Sequence, residues 1–177
     1  ALADRDVIAF DAPGVGKSDA AFMPYRPWQL ARMAAAILDE LGYDEVDVMG
    51  VSWGGAMAQQ FAFQFAARTH RLILCATAAG VLMVPGHPKA LIKLAHPRRY
   101  MDADYMKQHF EALYGDSSKD APDHSSRMIA PSMLGYFYQL MAGAGWTSVP
   151  FLPFLKQQTL VMAGDNDQIV PPINGHF

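Results

Sequence analysis

Residues 46–57 read VDVMGVSWGGAM, an apolar run that meets a helical pattern at a serine with glycines on both sides. A serine in a tight turn between a strand and a helix has strained backbone angles and close neighbours, so the positions two before and two after it must lack side chains. Gly50 and Gly54 meet this requirement, and Gly55 extends it. The motif G-x-S-x-G in this context predicts that the hydroxyl of Ser52 projects from the carboxyl edge of a sheet.

The chemistry expected at Ser52 is nucleophilic attack on an acyl carbon. The helix that we predict to start near Gly55 directs its free amide hydrogens and the positive end of its dipole at the turn, which stabilises negative charge there. The backbone N–H of Trp53 is the expected oxyanion donor, and losing one such donor typically costs about 3 to 4 kcal/mol of transition-state stabilisation. The alternative interpretation is an ordinary glycine-rich turn with a surface serine.

Apolar runs and helical patterns alternate on both sides of this turn. Strands are predicted over residues 7–10, 46–49, 71–76 and 159–163. One helix is predicted from Pro27, which suits a first helical turn, to the stop at Gly42. The other carries an apolar stripe at Met57, Phe61 and Phe65. This alternation implies right-handed crossovers, and hence an α/β fold with a mostly parallel sheet and helices on both faces.

The segment between the last two predicted strands differs in texture from the rest. It is rich in proline and contains aromatic and methionine-rich patches such as MLGYFYQLM. We therefore expect residues 1–80 to form the first part of the α/β core, residues 81–155 a helical cap, and residues 156–177 the continuation of the core. The large side chains of the cap could have either of two roles. They could line an apolar substrate groove, or they could form the cap's own small core. These side chains are Tyr136, Phe137, Tyr138, Met141 and Trp146.

A nucleophilic serine needs an imidazole base, and the imidazole needs a carboxylate to fix its tautomer. The acid candidate is Asp167, in preference to Asp165, which we expect to hydrogen-bond the turn itself. His176 follows Asp167 too closely for a strand to lie between them, so we expect an ordinary role for it and a base histidine outside this chain. The histidines before the acid are expected to be structural or surface residues, and they are His70, His87, His96, His109 and His124.

Composition excludes several classes of function. The net charge is -3 with both signs interspersed, which leaves no basic stripe for nucleic acid. No apolar run approaches the roughly 20 residues of a membrane-spanning helix. No spacing of histidine and cysteine implies zinc, and no other metal or cofactor is expected. The single cysteine, Cys75, is expected to be a buried core thiol in a reducing compartment.

Residues 11–18, DAPGVGKS, have a competing interpretation as a phosphate-binding loop. The first glycine of that motif is replaced by Asp11, whose carboxylate would repel a phosphate. Pro24 and Pro27 oppose the helix that must follow such a loop at once. We therefore expect a tight loop beside the mouth of the active site, and no bound nucleotide.

Three stretches resemble the motifs of α/β-hydrolases, and they are VIAFDAPGVGKSD at 7–19, GVSWGGAMAQQFA at 50–62 and LVMAGDNDQIVP at 160–171. A narrower set resembles the intracellular poly(3-hydroxyalkanoate) depolymerases, particularly those that act on medium-chain polyesters. That set contains residues 50–62 again, ATAAGVLMVPGHPK at 76–89, HPRRY at 96–100 and AGAGWTS at 142–148. The similarity covers nearly the whole chain, including the expected cap.

The resemblance implies an α/β-hydrolase fold and a Ser-His-Asp hydrolase that cleaves esters through an acyl-enzyme. Ser52 and Asp167 match the nucleophile and the acid of the family, whereas the family's histidine and its second oxyanion donor match nothing here. It also implies a stored polyester as substrate, at granules in the cytoplasm. The first and last residues suggest that the chain is a piece of a longer protein, and the base histidine is expected outside this piece. The 177 residues alone are therefore expected to be inactive.

Other functions stay open because one nucleophile turn serves many acyl substrates. A small-molecule carboxylesterase, a lactonase or a carbon–carbon hydrolase would use the same serine. A non-catalytic binding protein would keep the fold without the chemistry. The sequence does not indicate the oligomeric state.

Overall fold

The structure, a computed structural model, describes residues 4–98, 102–114, 129 and 131–176. Its main elements are α1 (Pro27–Leu41), β1 (Val46–Val51), α2 (Trp53–Gln64), β2 (Thr69–Cys75), α3 (Pro88–Ala95), α4 (Ala103–Tyr114), α5 (Met133–Gly143) and β3 (Gln158–Met162). Short 3-10 helices lie at Ala66–Arg68, Leu152–Phe154 and Pro172–His176. Within the described ranges, no helix has the length and apolar character needed to cross a membrane.

The three strands form one parallel sheet in the order β1-β2-β3. The register pairs Val51 with Cys75, and Cys75 with Met162, so the strands end at the same level. Parallel pairing of strands that alternate with helices confirms the predicted α/β class. It also brings the carboxyl ends of all three strands to one edge, which is where ligands bind in open α/β sheets.

Helix α1 begins and ends as its sequence predicts. Pro27 is the first helical residue, and the backbone N–H of Arg26 before it donates to Gln29 Oε1 at 2.8 Å. Gly42 ends the helix with φ 75°, a left-handed conformation that glycine adopts without steric cost. The element therefore follows from local chemistry alone.

Helix α2 packs on one face of the sheet, and α1 packs on α2. Ala58 and Ala62 of α2 pack against Leu72 of β2, and their small size lets the helix lie close to the strand. The opposite face carries Met49 and Val51, which are 57% and 56% exposed. The helix that follows Ser52 is therefore packed directly against the central strand of the sheet.

The predicted strand at residues 7–10 does not pair with the sheet. A strand needs ladder hydrogen bonds to a neighbour, and no backbone hydrogen bond among the described residues joins this segment to a strand. The segment is held to the core by side chains instead. Ile8 packs against the cluster that includes Val48, and Tyr43 Oη donates to Asp6 Oδ2 at 2.9 Å.

The segment between β2 and β3 leaves the core and returns to it at one place. Gly80 and Thr147 form an antiparallel bridge, and Thr147 Oγ1 donates to Ala79 O at 2.6 Å. Gln59 of α2, only 2% exposed, lies under this junction and accepts a 2.6 Å hydrogen bond from Ser148 Oγ. A buried polar network therefore joins both ends of the segment to the helix that follows Ser52.

Removing the hydroxyl of Ser148 is expected to destabilise this junction. Ser148 is fully buried, so Ser148→Ala leaves Gln59 Oε1 buried without a donor, at about 1 to 3 kcal/mol of unfolding free energy. Urea denaturation of the full-length protein measures the loss. Ser18→Ala is the control, because Ser18 is only half-buried and its hydrogen bond to Asp11 O is open to water. Equal stability of Ser148→Ala and Ser18→Ala would contradict the network's role.

Helix α5 is fastened to the core at both ends. Ser132 caps its start, and the backbone N–H of Ser132 donates to Gly14 O at 3.1 Å. A Cβ added at Gly135 would lie 2.1 Å from the same oxygen, so the two backbones are in direct contact. At the other end Arg26 Nη1 donates to Met141 O at 2.9 Å and Arg26 Nη2 donates to Ala144 O at 3.0 Å, which supplies donors to carbonyls at the helix C-terminus.

The large side chains of this region differ in burial. Tyr138 and Trp146 are 9% and 8% exposed, and Tyr138 lies edge-on to Tyr25 with ring centroids 6.5 Å apart. Phe137 and Met141, on α5, are 55% and 39% exposed. The first pair is therefore packing, and the second pair is accessible to a ligand.

Candidate active site

Ser52 lies between β1 and α2 in a strained backbone conformation. Its φ of 51° and ψ of -119° lie outside the regions that non-glycine residues favour, at a cost of about 1 to 3 kcal/mol. Its N–H donates to Cys75 O at 2.9 Å, which ties the turn to the end of the neighbouring strand. The side chain is exposed, as the motif predicts for a nucleophile at a sheet edge.

The glycines of the turn do not all have the role predicted for them. A Cβ at Gly50 would lie 2.2 Å from Gly54 O, and one at Gly55 would lie 2.4 Å from Thr77 Cβ. Neither position has room for a side chain. A Cβ at Gly54 would meet no described atom within 4 Å, so the steric requirement predicted there is wrong and falls on Gly55 instead.

Helix α2 begins at Trp53. We predicted a start near Gly55, which is two residues later. The N–H of a first-turn residue has no acceptor within its own helix and points out of the helix end. The indole ring of Trp53 packs against α5, where a Cβ at Gly143 would lie 3.0 Å from Cζ3. The residue that we expect to donate to an oxyanion is thus held by its side chain against a fastened helix.

Asp167 occupies the loop that follows β3. Its Oδ1 accepts hydrogen bonds from the backbone N–H groups of Ile169 at 2.8 Å and Val170 at 2.9 Å. These are the turn contacts that the sequence analysis assigned to Asp165, which is exposed, so that assignment is wrong. The two amides fix the Asp167 carboxylate, and Oδ2 has no donor among the described residues. One oxygen is therefore available to an imidazole.

The sheet sets the separation between the nucleophile and the acid. Ser52 follows β1 and the Asp167 loop follows β3, with β2 between them. Neighbouring strands lie about 4.8 Å apart, so the two loops start about 10 Å apart at one edge. An imidazole that hydrogen-bonds a serine on one side and a carboxylate on the other spans a gap of this kind.

His176 ends the 3-10 helix Pro172–His176 and is exposed. Within the described residues no hydrogen bond joins it to Ser52 or to Asp167. The buried residue of this helix is Asn174, whose side chain donates to Val84 O at 3.0 Å and accepts from Val84 N–H at 2.8 Å. The helix thus clamps the start of the segment between β2 and β3.

The earlier histidines have structural contacts where they are described. His70 Nδ1 lies 3.1 Å from Asp47 Oδ1, and His87 caps the start of α3. His96 stacks on Tyr105, and His109 meets the same ring edge-on. Burial lowers the pKa of the His109 imidazole, with smaller contributions from neighbouring cationic groups. His124 lies outside the described residues.

The loop at residues 11–18 is folded around its own carboxylate. Asp11 Oδ2 accepts from the N–H of Lys17 at 3.0 Å, and Asp11 O accepts from Ser18 Oγ at 2.8 Å. A Cβ at Gly16 would lie 2.3 Å from the Asp11 carboxylate. The carboxylate therefore occupies the concavity that a phosphate would need.

No cluster of metal-binding side chains is present in the part of the chain that the structure describes. Cys75 is half-buried, and its Sγ lies 3.9 Å from Met162 Sδ. The predicted full burial of this thiol is wrong because Cys75 lies on the open face of the sheet, beside Val51.

One contact at the turn was not apparent from the sequence. Thr77, beyond the end of β2, donates a hydrogen bond from Oγ1 to Ser52 O at 2.7 Å. The two residues are separated by 25 positions, and only the strand register brings them together. No local pattern could have identified this pair.

The chain is similar to a known protein family and to several characterised proteins. The profile of a family described as having the alpha/beta hydrolase fold matches residues 1–176. A poly(3-hydroxyalkanoate) depolymerase of Ectopseudomonas oleovorans is 47% identical over 97% of this chain and 62% of its own length. A 2-hydroxy-6-oxo-6-phenylhexa-2,4-dienoate hydrolase of Burkholderia cepacia is 30% identical over 96% of this chain and 63% of its own length.

A crystal structure of a hydrolase from Pseudomonas aeruginosa has a similar fold. It superposes with a TM-score of 0.72 at 22% identity, over 94% of this chain and 64% of that one. The chain thus spans somewhat less than two thirds of the length of the proteins that it matches.

Proposed function

The chain belongs to the α/β-hydrolase family, and from this membership we propose that it is the nucleophile-bearing part of an ester hydrolase that acts on poly(3-hydroxyalkanoate). The observation that carries the substrate class is the 47% identity to the depolymerase over 97% of the chain. That span includes the whole segment between β2 and β3, which sets substrate choice in our proposal.

In the proposed reaction Ser52 Oγ attacks the ester carbonyl while a histidine takes its proton. The negative charge that develops on the carbonyl oxygen is stabilised by the N–H of Trp53. The alcohol end of the chain leaves with the proton from the histidine, and the acyl group stays on Ser52. Water then attacks the acyl-enzyme with the same histidine as base, which releases a 3-hydroxy acid and restores the serine.

We place that histidine outside residues 1–177 and assign the acid to Asp167. Support for the first point is that the depolymerase extends well beyond the span it shares with this chain, which covers 62% of its length. Support for the second is the fixed carboxylate of Asp167, with Oδ2 open, about two strand spacings from Ser52.

We propose that residues 81–155 act as a cap and that the exposed apolar side chains of its helix α5 contact the acyl chain. Phe137 and Met141 are the accessible members of the candidate set. Each methylene of substrate that they bury is worth about 0.8 kcal/mol, which is about fourfold in kcat/KM.

Assays of the full-length protein on esters of increasing chain length test this proposal. From butyrate to octanoate, kcat/KM should rise about fourfold per methylene, and granules of medium-chain polyester should release 3-hydroxy acids. Phe137→Ala should flatten the chain-length dependence, and Phe154→Ala, which removes another exposed phenylalanine, should not. A flat profile together with intact granules would refute the substrate class.

We also propose that the complete protein works in the cytoplasm at the surface of polyester granules. Co-sedimentation of the full-length protein with isolated granules tests this location. A protein that hydrolyses soluble esters but stays in the supernatant would refute the granule association alone.

A hydrolase of a 2-hydroxy-6-oxo-dienoate is the second candidate, favoured by the 30% identity to such an enzyme. Rapid turnover of that compound without release of 3-hydroxy acids from polyester would select it. Both candidates use Ser52, so only the substrate separates them.

A further inference from the structure

The strained conformation of Ser52 needs support from its surroundings, because such angles persist only where neighbouring contacts determine them. Three hydrogen bonds hold the backbone of this residue. Its N–H donates to Cys75 O at 2.9 Å, and its carbonyl oxygen accepts from the N–H of Gly55 at 2.9 Å and from Thr77 Oγ1 at 2.7 Å. The hydroxyl of Thr77 supplies the side-chain contact in this set.

The carbonyl that Thr77 holds belongs to the same rigid unit as the proposed oxyanion donor. The C=O of Ser52 and the N–H of Trp53 are two ends of one planar, trans peptide group, so they point in opposite directions. A donor that fixes the direction of the carbonyl oxygen therefore also fixes the direction of the N–H. Donation to the carbonyl further polarises the peptide and strengthens its N–H as a donor.

Thr77 is itself held on both sides. Ala76 has a φ of 45°, unusual for a residue other than glycine, and its N–H donates to Met162 O at 2.8 Å. The carbonyl of Ala78 accepts from Gln59 Nε2 at 3.2 Å. The chain thus turns sharply at the end of β2, which directs Thr77 at the turn of the neighbouring strand.

We propose that Thr77 is a positioning residue for the oxyanion site, in that its hydroxyl sets the peptide plane that carries the N–H of Trp53. This inference rests on the proposed function, since it assigns a role within that reaction. Thr77 makes no contact with the reacting atoms and acts through Ser52 O.

The test compares Thr77→Val and Thr77→Ser in the full-length protein. Thr77→Val keeps the shape and removes the hydroxyl, so kcat should fall about 10- to 30-fold with KM unchanged, because the oxyanion exists only in the transition state. Thr77→Ser keeps the hydroxyl and should restore most of the rate. A purely structural role would not give this split or this rescue.

Thr147→Val is the matched control, since it also removes a threonine hydroxyl bonded to a backbone carbonyl, at 2.6 Å from Ala79 O, but away from the turn. Its kcat should stay within about twofold of wild type. If Thr77→Val does not fold, Thr77→Ala takes its place, because alanine also lacks the hydroxyl and is smaller than threonine, and the same loss of kcat is expected.

The rate of covalent labelling by a serine-directed phosphonate provides a readout that needs no ester turnover, because the phosphoryl oxygen enters the same oxyanion site. Slow labelling of Thr77→Val and fast labelling of Thr77→Ser would support the proposal. Wild-type rates for Thr77→Val, or equal losses in both variants, would overturn it. Loss of ester turnover in the wild type with normal labelling would instead reject the proposed function.

Discussion

Replacing Ser52 with alanine in the full-length protein is expected to lower kcat for ester hydrolysis by about 10⁵- to 10⁶-fold. The side chain is exposed at the end of β1, and no neighbouring side chain of the turn is a nucleophile. Without its hydroxyl no acyl-enzyme forms, and only the oxyanion site and substrate binding remain. Mass spectrometry after treatment with a serine-directed phosphonate checks the same point, since the variant should gain no adduct.

Ser18→Ala provides the control for labelling. Ser18 is half-buried, and its Oγ donates to Asp11 O within its own loop. This variant should be labelled at the wild-type rate. Continued labelling of Ser52→Ala at any serine with the wild-type rate would reject Ser52 as the nucleophile.

The second large effect is expected for Asp167→Asn, with kcat lowered about 10³- to 10⁴-fold. The asparagine oxygen still accepts from the N–H groups of Ile169 and Val170, so the loop keeps its shape while the charge is lost. An uncharged partner no longer stabilises the imidazolium that forms during the reaction. Steady-state kinetics measure the effect, and circular dichroism confirms that the variant is folded.

Asp165→Asn is the matched control for the acid. Asp165 lies two residues earlier in the same loop and is exposed, so its neutralisation should change kcat by less than about twofold. The reverse result, with Asp165→Asn inactive and Asp167→Asn active, would transfer the role of the acid to Asp165.

The parts of the fold that the sequence predicts correctly depend on local chemistry. Pro27 and Gly42 mark the ends of α1 because each fixes a backbone angle by its own covalent structure. The turn at Ser52 is predicted because a strand, a serine and a glycine two residues before it leave few alternatives there. These signals need no knowledge of the rest of the chain.

The errors arise where distant residues decide the outcome. Whether residues 7–10 pair as a strand depends on a neighbour, which their own composition does not reveal. The open space around Gly54 depends on which elements pack over the turn. Asp165 and Asp167 have the same chemistry, and only the path of the loop decides which of them meets two amides. The hydrogen bond from Thr77 Oγ1 to Ser52 O was likewise not predicted, because it depends on how two strands are paired.

The junction at Gly80 and Thr147 has an evolutionary consequence. The chain leaves the core at Gly80 and returns at Thr147, and these two residues are bridged to each other. The entropic cost of closing such a loop grows only with the logarithm of its length, so the length of the segment hardly affects the sheet. Such a segment can be lengthened, shortened or exchanged while the nucleophile keeps its geometry. If the segment sets substrate choice as proposed, new preferences can arise by recombination at two adjacent points.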